Sequence, residues 1–444
     1  MPAILYLKVE QKTAPQPKKR INMKFIHTAD WHLGNSMHDI DRQEESKQFL
    51  SWLKERIVEL GAQCLVVSGD IFDTTNPPID ARRLYFRFLA SLLETDCKNI
   101  VLVGGNHDSG ALLDAPRDLL DALNIQMVGA LGERPVKDLV KELTDASGNI
   151  VGISAAVPYV REGELRRFGT PGENFTNDTY SGLYKAVYDA AETLRAGRDI
   201  PIIATGHLYA SRLEGRPEND DGSDAREHGM RDIVGSLGTV PVSVFPDGLD
   251  YVALGHIHYT TMVAKNPKVR YSGSPFVLGF DEADIPHHIL AVDLQKGAVP
   301  SVQKIETPQR FKFTRISGSI PSIVAQLNAL KSNPGDKPLM VEVVYDYTPG
   351  VNINEVLSAV KEDAPFEIVS KKVNRAASLA AEDFSEEGLD SVDMLPDDEI
   401  FKRLVMSKMG ATEMSEDIKK LYEEYLPLFN QVVEEVNSDC GKEA

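Results

Sequence analysis

Cysteine is scarce: Cys64, Cys97 and Cys440 are the only three in 444 residues. An odd count, at spacings that match no metal motif, argues against a disulfide framework and a cysteine-ligated site, and a reducing cytoplasm is the expected setting. Cys64, in QCLVV, reads as a small core residue at a strand start. Long apolar runs are missing too. None approaches the roughly 20 residues that cross a bilayer, so no membrane role is expected. The opening MPAILYLKVE has a short apolar patch but no basic region before it and no small-residue cleavage site, and is not read as a signal peptide. Cations are outnumbered, 48 Lys and Arg against 67 Asp and Glu, for a net charge of −19. That balance argues against strong unaided binding to nucleic acid, whose phosphates demand cations. Three things temper it: carboxylates that bind metal are neutralised by it, much of the acidic excess sits toward the C-terminus in EDFSEEGLDSVDMLPDDE, and a partner can supply basic surface. No internal repeat is present.

With 42% hydrophobic and 26% charged residues, the composition is that of a globular protein long enough for two or three domains. Residues 1–22, with Pro15, Pro17 and the run Lys18-Lys19-Arg20, show no periodic apolar pattern beyond the opening patch. A disordered extension is expected there, and Met23, directly before the first strand, is a candidate start. From Met23 the pattern alternates. MKFIHTAD, CLVVSGD and NIVLVGGNHD read as strands running into polar loops, with amphipathic helices at Gln48 to Leu60 and in ARRLYFRFLASLLE. Strand signals then become denser: IVGISAAVPYV, IPIIATGHL, DYVALGHIH, VRYSGSP and HILAVDL, with the end of a helix at Ala190 to Arg198. This predicts a two-sheet α/β sandwich over 23–306. A small α+β capping domain follows over 307–380, from the helical patterns IPSIVAQLNAL and NINEVLSAVKE around the strand PLMVEVVYDY. An acidic linker is expected at 381–398 and amphipathic helices at 399–438. The second of these carries an apolar stripe (Ile418, Leu421, Tyr425, Leu428, Val432) that packs on the chain itself or on a partner.

Five motifs fall at the ends of predicted strands, where loops of an α/β sheet build sites: HTADWHLG, VSGDIFD, GGNHD, ATGHL and ALGHIH. They present Asp30, His32, Asp70, Asn106, His107, His207, His256 and His258. Carboxylates, imidazoles and an amide form a ligand set suited to Mn, Fe or Zn rather than Ca. Residues two apart in extended chain point the same way, so Asp30 and His32 can share one ion, while His256 and His258 can share one or divide between two. Asn106 and His107 are adjacent; one can ligate while the other faces substrate. Two cations about 3.5–4 Å apart stabilise both the attacking and the leaving oxygen of a phosphodiester. Asp70 is the natural bridge between them, because a carboxylate has two oxygens. His107 can then protonate the leaving oxygen or stabilise the transition state. A single D-x-H or H-x-H is more often chance or a core histidine. Six of the ten histidines falling into motifs at successive strand ends is not. Of the others, His27 is expected to be structural, His38 and His228 to lie in loops, and His287 and His288 to precede a strand. Asp73 is expected to orient a loop or a ligand.

The series D-x-H, GD, GNH, GH, GHxH resembles the calcineurin-like metallophosphoesterase superfamily. The fuller strings HTADWHLG, GDIFDT, GNHDS, ATGHL, YVALGHIH and YSGSP narrow the likeness to the SbcD family of bacterial nuclease subunits, strongly over about 23–310 and by order and size beyond. The resemblance implies one metal held by Asp30, His32, Asp70 and His258, a second by Asp70, Asn106, His207 and His256, His107 as catalytic histidine, and Mn as preferred ion. It implies a DNA exonuclease and single-strand or hairpin endonuclease acting in repair and recombination, a homodimer within a heterotetramer, and C-terminal helices docked on an SbcC-like SMC-type ATPase. Two other readings compete. A small-molecule phosphodiesterase or phosphomonoesterase of the superfamily would use the same metals but has no evident need of the residues after the sandwich. A non-catalytic scaffold would be free to lose ligands, and none of the seven is missing.

Overall fold

The computed structural model describes residues 21–374, except 39, 169–176, 211–239, 333–334, 347, 349–350 and 362, and beyond them only isolated positions between 402 and 426. The chain divides at Asn374 into two units, and everything below belongs to the first. Residues 1–20 of the extension expected over 1–22, the acidic linker and nearly all of the C-terminal helices lie outside the described residues.

In chain order the first half runs β1 (Met23–Thr28), β2 (Ser36–Met37), β3 (Ile40–Asp41), α1 (Gln43–Leu60), β4 (Cys64–Ser68), α2 (Ile79–Leu92), β5 (Asn99–Val103), α3 (Gly110–Asp114), α4 (Arg117–Ala122) and β6 (Ile125–Val128). The next stretch contains β7 (Val140–Thr144), β8 (Ile150–Ala155), α5 (Glu162–Leu165), α6 (Asn177–Arg195), β9 (Ile202–His207), β10 (Tyr251–Gly255), β11 (Thr261–Val263), β12 (Asn266–Tyr271), β13 (His288–Leu294) and β14 (Ser301–Glu306). Last come β15 (Lys312–Gly318), α7 (Ile320–Ser332), β16 (Leu339–Tyr345), α8 (Ile353–Lys361) and β17 (Phe366–Val373).

Two six-stranded sheets, ordered β14-β13-β1-β4-β5-β6 and β11-β12-β10-β9-β8-β7, stack with β4 against β9 and β10. This is a two-sheet α/β sandwich. The strands at the centre are buried along their whole length, CLVVS, NIVLV and YVALG among them, which is why they read as unbroken apolar runs. Alternation then sorts their side chains: Cys64 and Val66 enter the core between the sheets, while Leu65 and Val67 pack under α1 and α2 with Phe49, Leu53, Tyr85 and Phe88. Each such aromatic or aliphatic side chain contributes about 1.5–3 kcal/mol by leaving water. α6 lies along β7 and β8. β1, β4, β5 and β6 are mutually parallel, as are β8, β9, β10 and β12, so the carboxyl ends of each set point one way.

Several elements differ from expectation. α1 begins at Gln43 rather than Gln48, because Glu45 in its first turn is buried against the Arg42 guanidinium instead of facing water. α6 is a full 19-residue helix, of which the sequence pattern marks only the last part. The small C-terminal unit has three parallel strands, β15-β16-β17, with α7 and α8 over one face, a βαβαβ arrangement around Ile316, Ile323, Leu327, Val341 and Leu357. At the other end, Ile21 packs on the inter-sheet core and Asn22 donates to Asp293 Oδ1 at 3.0 Å.

Cys64 and Cys97 are both buried free thiols. Burial raises the pKa of each, Cys97 to about 12. Because the thiolate is the reactive species, a Cys440→Ser variant should show no labelling by a disulfide reagent at pH 8 until denaturant is added, when two thiols react; fast labelling of the native protein would contradict the packing described.

Candidate metal centre

The carboxyl ends of both sheets converge on one cluster. The loop after β1 carries Asp30 and His32, that after β4 Asp70, and that after β5 Asn106 and His107, while β9 ends on His207 and β10 runs into His256 and His258. All eight residues singled out from the motifs meet here. Four of them sit in left-handed backbone, Asp30 (φ 54°), His32 (43°), Asp70 (48°) and His256 (98°). That conformation costs about 1–3 kcal/mol for a residue with a side chain and persists only where neighbours impose it. Here the first loop is laced to the second: Asp30 N–H donates to Gly69 O (3.0 Å), His32 N–H to Asp70 O (3.0 Å) and Leu33 N–H to Ile71 O (2.9 Å). The glycines of the motifs make room. A Cβ on Gly105 would run into the Asp70 carboxylate, one on Gly69 into the His207 ring, and one on Gly255 into the Ser68 carbonyl.

The side chains form two groups that share Asp30. Ligand atoms of Asp30, His32 and His258 lie within 4.8 Å of one another, and so do those of Asp30, Asp70 and His207. Asn106 Oδ1 is 3.0 Å from both His207 Nε2 and His256 Nδ1. Asp70 faces both groups: its Oδ2 is 3.2 Å from His207 Nε2 and 3.6 Å from His32 Nε2, while its Oδ1 accepts the His107 N–H at 2.9 Å. The far nitrogens are fixed by acceptors. His207 Nδ1 meets Ser68 O (2.9 Å) and His107 Nδ1 meets Asp73 O (2.9 Å), so in each ring Nδ1 carries the hydrogen and Nε2 is free to work. Asp73 Oδ1 takes the same part for His32 Nδ1 at 3.1 Å and also accepts from Asn35.

Asp30 Oδ2 and His32 Nε2 are buried with no hydrogen-bond partner. Left unpaired, such groups cost about 1–3 kcal/mol each. A cation between them satisfies both, and the carboxylate, imidazole and amide donors around it are of the type that holds a divalent transition ion. The electrostatics agree. Burial alone would raise Asp70, yet the imidazoles of His207, His32 and His107 hold its carboxyl well below the usual carboxylate range. Asp30 is pushed up by burial, against the pull of His207 and His258. Burial opposes charge on His207 and His258, but Asp70 lifts the first and Glu282 the second to about 9. His256 falls to about 3 through burial and the nearby His207.

The other histidines stay out of the cluster. His27 is buried within β1 with Nδ1 3.1 Å from Tyr251 Oη, and burial drives it to about 3. His38 lies in the β2–β3 turn beside Phe280, His287 bonds Ser274 O, and His288 opens β13. His228 lies outside the described residues. Two carboxylates were not selected from the sequence and matter here. Asp108 accepts the N–H groups of Gly105 (2.8 Å), Ile71 (3.0 Å) and Phe72 (2.9 Å), tying two site loops together. Glu282 Oε1 lies 2.8 Å from His258 Nδ1. Asp108 belongs to the GNHDS string, so its position was visible; Glu282 follows His258 by 24 positions and only the fold brings it there.

A family model described as calcineurin-like phosphoesterase matches residues 23–260. The chain is 30% identical to the SbcD component of the SbcCD nuclease of Escherichia coli (strain K12) over 401 residues, 88% of this chain and 95% of that one. The SbcD protein of Rhodobacter capsulatus is 30% identical over 369 residues, 80% of this chain and 88% of its own. The Bacillus subtilis counterpart is 28% identical over 286 residues, 64% and 69%.

Replacing Gly105 by Ala should overpack the Asp70 carboxylate. The expected loss is about 1–3 kcal/mol in urea unfolding, with a larger proportional fall in divalent-ion affinity; an unchanged affinity would mean that the Asp70 position is not set by this contact.

Proposed function

The chain belongs to the calcineurin-like phosphoesterase family, and from that premise we propose that it is a metal-dependent DNA nuclease working with an SbcC-like ATPase in DNA end processing, repair and recombination. The observation that supports the reading is Asp70 Oδ2, which lies 3.2 Å from His207 Nε2 and 3.6 Å from His32 Nε2 and so faces histidines of both groups. In this reading Asp30, His32, Asp70 and His258 hold one ion and Asp70, Asn106, His207 and His256 the other, both of them Mn. When bound, such a pair supplies Lewis-acid stabilisation to the attacking and leaving oxygens of an in-line displacement and lowers the pKa of water.

The chain's own residues do the rest. Ser68 O and Asp73 hold the rings of His207 and His32 by their Nδ1 atoms, so that each Nε2 is presented without a search through rotamers. His107, tethered through Nδ1 to Asp73 O, keeps Nε2 for substrate, where as the imidazolium it would donate its Nε2 proton to the departing oxygen, or would steady the transition state. The substrate's strand lies across the open carboxyl ends of the sheets, with the small βαβαβ unit as a cap that helps position DNA. We read the activities as double-strand exonuclease and single-strand or hairpin endonuclease, in the cytoplasm at the nucleoid. A homodimer is supported by apolar side chains left in water: Ile79 and Phe86 on α2, Leu93 just past its end, Leu119 on α4 and Leu123 just past its end. No helix among the described residues is long and apolar enough to cross a membrane.

The test is cleavage of end-labelled duplex and hairpin DNA with Mn, with and without an SbcC-like partner and ATP. Cleavage should require Mn and vanish with Asp70→Ala, and the partner with ATP should stimulate it. Hydrolysis of a small phosphodiester with no attack on DNA in any combination would replace this reading by a small-molecule enzyme. Separately, His107→Ala should cut the rate by about 10²–10⁴-fold while Mn binding, followed by calorimetry, stays near that of the native protein.

A further inference from the structure

We propose that Glu282 is a positioning residue through which the seating of the βαβαβ unit on the sandwich is felt at His258. The proposal rests on the reading of His258 as a metal ligand.

The segment between β12 and β13 is anchored at both functional ends. Ser274 N–H donates to His258 O at 3.0 Å, fixing where the segment starts relative to the site. Six positions later a single turn of 3₁₀ helix, Phe280–Glu282, presents two side chains to different neighbours. Glu282 Oε1 meets His258 Nδ1 at 2.8 Å, and its other oxygen accepts the Leu278 N–H at 2.8 Å, so the carboxylate is held from both sides. Phe280 goes the other way and packs edge-on against Phe313 of β15, ring centres 5.6 Å apart, in a cluster completed by Val277, Met37 and Met340. The turn is closed across Phe280 by the Glu282 N–H on Gly279 O (3.0 Å), so the two side chains, two positions apart, share one hydrogen-bonded turn.

The same segment is clamped to the small unit by a buried cation. The Arg42 guanidinium binds Val277 O and Glu45, and lies over the rings of Phe276 (5.5 Å) and Phe313 (5.4 Å). Glu45 Oε1 in turn accepts the N–H of Arg310, just before β15. Arg42 and Glu45 are 3% and 1% exposed, so the contact is dry and its geometry is enforced. Phe313, Arg42 and Phe280 touch no ligand candidate in any contact described. Their route to the site runs through Glu282, whose carboxylate accepts the His258 Nδ1 hydrogen and leaves Nε2 to face the ion. Outer partners of this kind are worth about 10–100-fold in metal affinity.

The experiment is a double-substitution cycle read by Mn affinity of the full chain, with calorimetry or the Mn electron-spin signal, the site in question being the one lost in His258→Ala. Glu282→Ala should weaken that site about 10–100-fold, and Glu282→Gln, whose amide oxygen still accepts from Nδ1, should restore most of it. Phe313→Ala should weaken it by about 5-fold or more, with Phe313→Leu as a milder variant that keeps the core filled. Glu282→Ala combined with Phe313→Ala should bind no worse than Glu282→Ala alone, because the shared route is already cut. Unchanged Mn affinity in both Phe313 variants, or losses that multiply in the double variant, would overturn the coupling. If His258→Ala itself leaves Mn binding intact, the ligand reading fails and the coupling with it.

Discussion

Everything at the site hangs on Asp108 and the three backbone amides that point into it. The loop after β4 holds Asp70 in left-handed backbone, and the buried carboxylate ties that loop to the one after β5 through the amides of Ile71, Phe72 and Gly105. Burial and the charge of Asp70 push Asp108 up to about 6, and the amides pull against that, so it remains an anion at neutral pH. Hydrogen bonds to a charged acceptor are worth about 1.5–3 kcal/mol each. Three of them offset strain of about 1–3 kcal/mol at Asp70, the left-handed site residue in the loop they anchor. The anchor fixes the backbone around Asp70 through a group that is not among the ligand candidates.

A second consequence follows from the stacking of the sheets. Asp30, Asp70 and Asn106 come from one sheet, His207, His256 and His258 from the other, and short polar links cross between them: Ser68 Oγ to Ala253 O (3.0 Å), His256 N–H to Asp30 Oδ1 (2.9 Å) and His207 Nδ1–H to Ser68 O (2.9 Å). These links gather at the carboxyl end of the seam between two apolar layers, where the carboxylates of Asp30 and Asp70 would supply the counter-charge for a buried cation. Neither sheet alone carries a complete donor set.

The legible parts of the chain were those where one residue type serves one purpose. The double-sided burial of CLVVS, NIVLV and YVALG made the central strands plain, and the glycines and histidines after them marked the site because steric and ligand demands leave few substitutes. Edge strands were not legible. SVQKIE in β14 and FEIVSKKV in β17 face water on one side or both, so their composition carries little strand signal, and only pairing with β13 and β16 defines them. The start of α1 was hidden by Glu45, which reads as solvent-facing until Arg42 is seen to enclose it. Glu282 and Asp108 were missed as actors for a related reason: a carboxylate that orients something else has no spacing rule, and its partner is chosen by the fold.

The placement of β1 carries a last implication, for biosynthesis. The first strand of the sandwich sits between β4 and β13, pairing Met23 with Leu294, so the amino-terminal edge of the domain closes only when a segment made some 270 residues later has emerged. His256 and His258 also come late, and pairings of such long range form slowly. A chain broken off before residue 256 therefore holds Asp30, Asp70, His107 and His207 without His256 and His258. A potentially destructive hydrolase is assembled only as a finished domain, and the order of its strands acts as the safeguard.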